Sequence, residues 1–395
     1  MNPYPAKFKE LVFTATFAKF LLNTCRRLIY PFAPELARGL NTDLSAITSV
    51  IAVNNATALL APLGAGFADR YGYRRFMLYS LVVLAVGCLA LGLRPAFYML
   101  MICFFLAGLA KAVFDTSLQA YLGSIVPYEK RGKIIGITEL AWAGSTLIGI
   151  PLAGLVMARF SWQAPFFIIS ALSFISFLAL RALMPPKSEK NPNAPARSSL
   201  RANWRSVLKN RQVKAILLFV FLISLANDNF FVVYGAWLEK EFHLSLAAIG
   251  LWTIFIGLAE ALGEGFTAVL SDRIGLMRAI LLGTFLCGVA YFLLPMMRTG
   301  LPMALAGLFM IFFFFEFSIV TAMSLATELT PALRASTMSA FFATAGLGRV
   351  AGAFTGGMLW NTTDMTMICM VSGAAMIAGL AALVLGFFLC PAKTG

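Results

Sequence analysis

Residues 69–72 read Asp69-Arg70-Tyr71-Gly72 and residues 272–275 read Asp272-Arg273-Ile274-Gly275, so one tetrapeptide pattern returns after 203 residues of a 395-residue chain. Each copy follows a long apolar run and precedes another with basic residues at its entrance, Arg74 and Arg75 in the first case and Arg278 in the second. A second landmark keeps nearly the same spacing: Pro127 with Arg131 and Gly132 returns as Pro331 with Arg334 and Ala335. Two landmarks at nearly one offset point to a duplicated unit that fills each half of the chain.

The composition names the solvent. With 60% hydrophobic and 12% charged residues, too little polar surface exists to coat a soluble globule of this length. Apolar stretches that cross a ~30 Å hydrocarbon core need about 20 residues. They can be drawn at 10–37, 43–68, 76–93, 97–125, 132–157 and 164–184, and again at 212–238, 245–270, 277–294, 303–327, 335–359 and 366–390. Helix is the default in lipid, because backbone groups must be satisfied within the segment. The expected fold is an all-α membrane protein of twelve transmembrane helices in two six-helix bundles, 1–185 and 212–395. A basic linker at 186–211, opened by Pro185-Pro186 and rich in Lys, Asn, Pro, Ser and Arg, joins them.

The net charge of +14 does not call for a nucleic-acid partner. With the N-terminus placed inside, most of the 31 Lys and Arg fall on inner segments, and the outer segments hold only Arg38, Arg94, Arg159, Lys240 and Arg298. This positive-inside bias sets both termini in the cytoplasm, and anionic inner-leaflet lipid is the partner of the basic surface. Short loops suggest a bacterial inner (plasma) membrane. Cys25, Cys88, Cys103, Cys287, Cys369 and Cys390 lie within spans at no metal or redox spacing and read as packing residues. His243, the single histidine, reads as a solvated loop residue. No metal-ligand cluster, cofactor motif or phosphate-binding loop is present in the sequence, so neither an enzyme nor an ATP-driven pump is expected. A monomer is expected.

The run Gly66-Phe67-Ala68-Asp69-Arg70-Tyr71-Gly72-Tyr73-Arg74-Arg75 resembles the loop between helices 2 and 3 of the major facilitator superfamily, and the resemblance extends over nearly the whole chain. Trp162 before the sixth span is familiar too. Gly149-Ile150-Pro151-Leu152-Ala153-Gly154 resembles the helix 5 signature of drug/proton antiporters, with the Gly-Pro pair split by Ile150; Phe104 stands where those antiporters carry a basic residue. The resemblance implies a secondary transporter working by alternating access between two parallel repeats. It gives Asp69, Arg70, Arg74, Arg75, Asp272 and Arg273 the part of a conformational gate. A carboxylate at 69 or 272 near the positive end of a neighbouring helix would gain about 0.3 to 1 kcal/mol.

Ionisable residues inside the spans are Lys19, Arg26, Arg27, Lys111, Asp115, Glu139, Asp228, Glu260, Glu264, Glu316 and Arg349. At roughly 2.5 to 3.5 kcal/mol each on insertion scales, they must face water or one another. Two readings stand for each: a structural pair or a ligand contact. Consecutive Arg26 and Arg27 point about 100° apart, so only one aims squarely inward; Asn54 and Asn55 lie at similar depth. Lys111 and Asp115 share a helix face and form an internal pair. Glu260 and Glu264 repeat that spacing with like charges, which favours a held proton. Asn227-Asp228-Asn229 interrupts the seventh span, where a loosened helix is expected. Glu316 sits among phenylalanines, and Arg349, set among Gly346, Gly348 and Gly352, is its natural counter-charge.

The candidate substrate or ion contacts are therefore Arg26, Arg27, Asn54, Lys111, Asp115, Glu139, Asn227, Asp228, Glu260, Glu264, Glu316 and Arg349. The carboxylates are the pool for a proton carrier, Asp228 and Glu316 first. The function expected is proton-coupled movement of a small organic or amphiphilic molecule, with export favoured. Uptake or exchange of an organic anion or anionic lipid headgroup is the alternative, and a membrane-embedded receptor or enzyme a remote one.

Overall fold

A computed structural model of the chain describes residues 7–60, 72–126, 128–184, 208–330 and 334–388. Within them the backbone is helical with no strand. The helices are α1 (Phe8–Arg27), α2 (Ala33–Gly39), α3 (Leu44–Ala56), α4 (Tyr73–Leu93), α5 (Phe97–Ile125), α6 (Tyr128–Gly144), α7 (Ile150–Arg159) and α8 (Ala164–Leu183). The second half carries α9 (Arg211–Phe231), α10 (Tyr234–Phe242), α11 (Leu246–Trp252), α12 (Ile254–Ile274), α13 (Leu276–Leu293), α14 (Leu301–Leu329), α15 (Arg334–Thr362) and α16 (Met365–Phe387).

Among the described residues each expected span contains helix, but fewer than twelve stretches are long and apolar enough to cross a bilayer. Nine helical stretches among the described residues are long and apolar enough to cross a bilayer, or ten if the α2–α3 pair, bent by 116°, counts as one. The first span falls short because α1 carries Lys9, Glu10, Lys19, Arg26 and Arg27. The eleventh is diluted by the Gly, Ser and Thr of α15 and by Arg349 within it.

Breaks in the helices have local causes. Pro31 and Pro34 follow α1; proline lacks an N–H and its ring clashes with the carbonyl four residues back. The same rule explains the π-helical turn Ser145–Gly149 between α6 and α7, since Pro151 would collide with the carbonyl of Leu147 in a regular helix. The loosening expected at Asn227-Asp228-Asn229 does not occur: α9 runs through all three and ends at Phe231. Asn229 Nδ2 donates to Ile368 O at 3.1 Å and Ser372 Oγ at 3.0 Å, so this amide is satisfied by a neighbouring helix without unwinding its own.

The described residues group into two compact units, one within Met1–Ala194 together with Ser245–Ile254, the other within Pro195–Leu244 together with Phe255–Gly395. The expected linker at 186–211 lies outside the described residues up to position 207. In the first unit, α7 meets α11 through glycine: a Cβ on Gly154 would stand 2.9 Å from the Leu246 carbonyl and 3.2 Å from Gly250 Cα. In the second, α15 lies on α9 along Gly348, Gly352 and Gly356. A Cβ on Gly352 would stand 2.5 Å from the Leu225 carbonyl and 2.8 Å from the Asn229 nitrogen. Such seams let backbones approach where lipid supplies no hydrophobic drive for association.

Candidate functional site

Two groups of ionised side chains sit inside the helical units, one in each. In the first unit, α1 carries Lys19, Asn23 and Arg27 four residues apart, hence on one face, and turns that face to α6. Lys19, 4% exposed, places Nζ 2.7 Å from Glu139 Oε1 and 4.0 Å from Asp115 Oδ1. Lys111 pairs with Asp115 one turn along α5. Arg27 lays its guanidinium over the Trp142 ring, 4.4 Å from the centroid, and Lys111 Nζ lies 5.7 Å from the same ring. Both distances fall within cation–π range.

Arg26 turns the other way. Its Nε donates to Asn54 Oδ1 at 2.8 Å, while Asn54 Nδ2 donates to the Phe104 carbonyl at 2.6 Å. Asn54 is thereby a fixed strut between α3 and α5 as well as the seat of an arginine. The angular separation of the two arginines thus sends one to asparagine and the other to tryptophan. Glu139 is partly open at 46% exposure and also accepts from Gln119 Nε2 at 3.4 Å.

In the second unit Asp228, buried on α9, has Oδ2 3.8 Å from Arg349 Nε on α15. The acid brought to Arg349 in this structure is Asp228, where the sequence pointed to Glu316. The cause is the glycine seam, which lays α15 along residues 221–229 of α9. Glu316 is placed elsewhere: its Cβ would lie 3.0 Å from a Cβ on Gly263, so α14 crosses α12 between Glu260 and Glu264. Glu260 is buried and Glu264 exposed. Thr267, one turn on, donates to the Gly263 and Phe317 carbonyls at 3.1 and 3.3 Å. Asn227 is buried beside Asp228.

Of the gate residues, Asp69 and Arg70 lie outside the described residues, as does the side chain of Asp272. Arg74 Nη2 donates to the Arg181 carbonyl at 2.8 Å, tying the start of α4 to the end of α8. Arg75 and Arg273 are exposed. Among the described residues no group of His, Cys, Asp and Glu could hold a metal ion.

Three features escaped sequence reading. Lys19 bridges Asp115 and Glu139, Trp142 serves two cations, and Cys25 and Cys88, fully buried, meet at 3.7 Å between sulfurs. The i, i+4 spacing of Lys19, Asn23 and Arg27 was the signal for the first.

Known proteins share this architecture. The family description Major Facilitator Superfamily matches residues 15–227 and 216–394. The chain is 30% identical over 347 residues to the uncharacterized MFS-type transporter YceJ of Bacillus subtilis, covering 87% of this chain and 88% of that one. It is 24% identical to the multi-drug resistance efflux pump PmrA homolog of Lactococcus lactis, over 75% of each chain. Among solved structures the nucleoside transporter NupG aligns with a TM-score of 0.80 at 15% identity, covering 95% of this chain and 100% of that one; at that identity the likeness concerns the fold alone.

Proposed function

The chain belongs to the Major Facilitator Superfamily, and from that premise we propose that it is a proton-coupled secondary transporter exporting a small organic molecule by alternating access. It is an integral, multi-pass membrane transporter and not an enzyme. Its place in this reading is a bacterial inner membrane with both termini in the cytoplasm, supported by the positive-inside bias of the sequence and by bacterial relatives. Export is supported by likeness to a protein named as an efflux pump.

One observation carries the coupling: a carboxylate buried in a membrane-spanning helix, Asp228, is paired with an arginine of another helix, Arg349, at 3.8 Å. A buried carboxylate can exchange such an arginine for a proton when the helices move apart, because a charge left alone in a low-dielectric interior neutralises instead. Asp228 is thus the proposed proton carrier, with Glu260, Glu264 and Glu316 as further acids of the same unit. Asp69, Arg70, Arg74, Arg75, Asp272 and Arg273 are the proposed gate.

The test is flux in liposomes under an imposed pH gradient, with drugs, metabolites and organic acids as candidate cargo. Asp228→Asn is expected to abolish gradient-driven accumulation while leaving exchange of cargo across the membrane intact. Full gradient-driven accumulation by that variant would remove Asp228 from the mechanism.

A further inference from the structure

Protonation of Asp228 strands its partner. A guanidinium keeps its charge in a protein, so a neutral Asp228 leaves Arg349 as a lone cation near the middle of α15. Uncompensated charge at that depth is costly and calls for a counter-ion. Arg349 is open to one. Its Nε makes no hydrogen bond, and its side chain is 31% exposed although Asp228 beside it is buried.

That exposure is not toward lipid. Leu347, Phe354 and Met358 form an exposed apolar stripe on α15; counted at about 100° per residue, Arg349 stands about 140 to 180° round the helix from them. A cation at mid-span faces water or protein rather than acyl chains. Phe342 lies on the Arg349 face, since seven residues make close to two turns, and it too is exposed. The side of α15 away from the stripe therefore offers a cation and an apolar ring roughly 10 Å apart along the helix.

We infer that Arg349 is the seat of an organic carboxylate with an apolar body, which accepts hydrogen bonds from the guanidinium once Asp228 has taken a proton and lays its body toward Phe342. A planar carboxylate matches the guanidinium fork. Binding of one anion goes with uptake of one proton, the two cross together, and an outward gradient of the cargo carries both out. This rests on the reading of Asp228 as the proton carrier and names the cargo that reading implies. Three other titratable groups lie on elements around Asp228: the Tyr291 phenol of α13, whose ring meets Phe230 at 5.7 Å, the Cys369 thiol of α16 and the Glu316 carboxyl of α14. Phenols and thiols are uncharged at neutral pH. Arg211 and Lys214 stand in the first turns of α9, and Glu239, Lys240 and Glu241 at the far end of α10.

Calorimetric titration of purified protein with three probes of one shape tests this: 4-phenylbutyrate, neutral 4-phenylbutyramide and cationic 4-phenylbutylamine. Only the acid is expected to bind. Its affinity should fall about tenfold per pH unit above the Asp228 titration, with about one proton taken up per anion, read from heats in buffers of different ionisation enthalpy. Asp228→Asn should keep the affinity and lose both the pH dependence and the proton uptake. Arg349→Gln should weaken binding about tenfold or more and remove its pH dependence, in a protein that still purifies as a monodisperse species. Arg349→Lys, which keeps the charge without the fork, should fall between. The inference is wrong if the amide or the amine binds as well as the acid, or if the acid does not bind at millimolar concentration. It is also wrong if binding takes up no proton, if proton uptake persists in Asp228→Asn, or if Arg349→Gln keeps wild-type affinity. A pH dependence that survives Asp228→Asn and vanishes with Glu316→Gln overturns the assignment as well. Proton-driven flux of an uncharged cargo, lost with Asp228→Asn, would leave the carrier reading standing and remove this one.

Discussion

The helix pair α1–α6 in one unit and the pair α9–α15 in the other occupy equivalent places in the repeat, yet they are joined by opposite means. Phe8 and Arg211, which start α1 and α9, are separated by the same 203 residues as Asp69 and Asp272. In the first pair, long polar side chains span the gap: Lys19 to Glu139 and Arg27 to Trp142. In the second, Gly348, Gly352 and Gly356 bring backbone against backbone, and a charge pair beside the seam, Asp228 with Arg349, stands at 3.8 Å. Duplication preserved the helices and not the chemistry between them. One pair is bridged by charged side chains; the other is closed by glycine, with Asp228 beside the seam.

The largest test of that contrast is steric. Gly352→Val puts a branched side chain where the Leu225 carbonyl, the Asn229 nitrogen and Asp228 Cβ already stand 2.5, 2.8 and 3.0 Å from the first added carbon. Two of those three atoms are backbone and cannot swing away. The expected cost is about 3 kcal/mol or more, seen as loss of monodisperse protein on size-exclusion chromatography. Gly144, in the first pair, is the control: a Cβ there meets only the Phe20 ring at 3.6 Å, and its backbone is right-handed helical. Gly144→Ala should be neutral or stabilise by up to about 1 kcal/mol. Equal damage from both substitutions would show that the two seams are alike after all.

The next test is electrostatic. Glu139→Gln leaves the buried Lys19 ammonium with Asp115 at 4.0 Å as its remaining acid within ion-pair distance. Breaking a buried pair from one side costs about 3 to 5 kcal/mol, but Glu139 is 46% exposed, so about 1 to 2 kcal/mol is expected after solvent screening. Adding Lys19→Met should recover most of it, because the stranded charge goes with the lysine. Arg349→Gln in the second unit should cost less in stability, its pair being longer, while removing the pH dependence of transport. Chemical denaturation in detergent measures the first two variants, and proteoliposome flux at two pH values the third. No recovery in the double variant would mean that the loss does not come from a stranded Lys19 charge.

What the sequence disclosed follows from locality. The repeat, the apolar spans and the basic inner segments are properties of neighbouring residues, so the string of residues carries them by itself. The same holds for Lys111 with Asp115, which share one helix face. Partners supplied by another helix were not legible. Nothing in the string says that Arg349 meets Asp228, because that depends on the rotation of α15 fixed by three glycines. The polar triplet Asn227-Asp228-Asn229 misled for the same reason: its apparent strain is relieved by Ile368 and Ser372, well over a hundred residues away. Pro151 did carry the signal for the π-helical turn, in a stretch read for its apolar character and its likeness to a family signature and not for its backbone.

The finest test lies at the helix starts. Asp43 caps α3 by accepting from the Ala46 N–H at 2.9 Å, and Ser245 caps α11 by accepting from the Ala248 N–H at 3.3 Å. The two caps stand at nearly one repeat offset, one ionisable and one not. Hydrogen bonds from the Ser45 hydroxyl and the Ala46 amide hold the Asp43 carboxyl below the usual carboxylate range. A depressed folded value means that this stabilisation is present above the unfolded value, about 3.9, and is lost as pH falls through the folded one. Replacing either cap by alanine should cost about 1 kcal/mol at neutral pH. For Asp43→Ala the difference from wild type should shrink as the solution is acidified below about pH 4, whereas for Ser245→Ala it should stay constant over that range. Thermal melts of both variants across that pH window decide it, and a cost for Asp43→Ala that does not change with pH would show that the cap works through its shape rather than its charge.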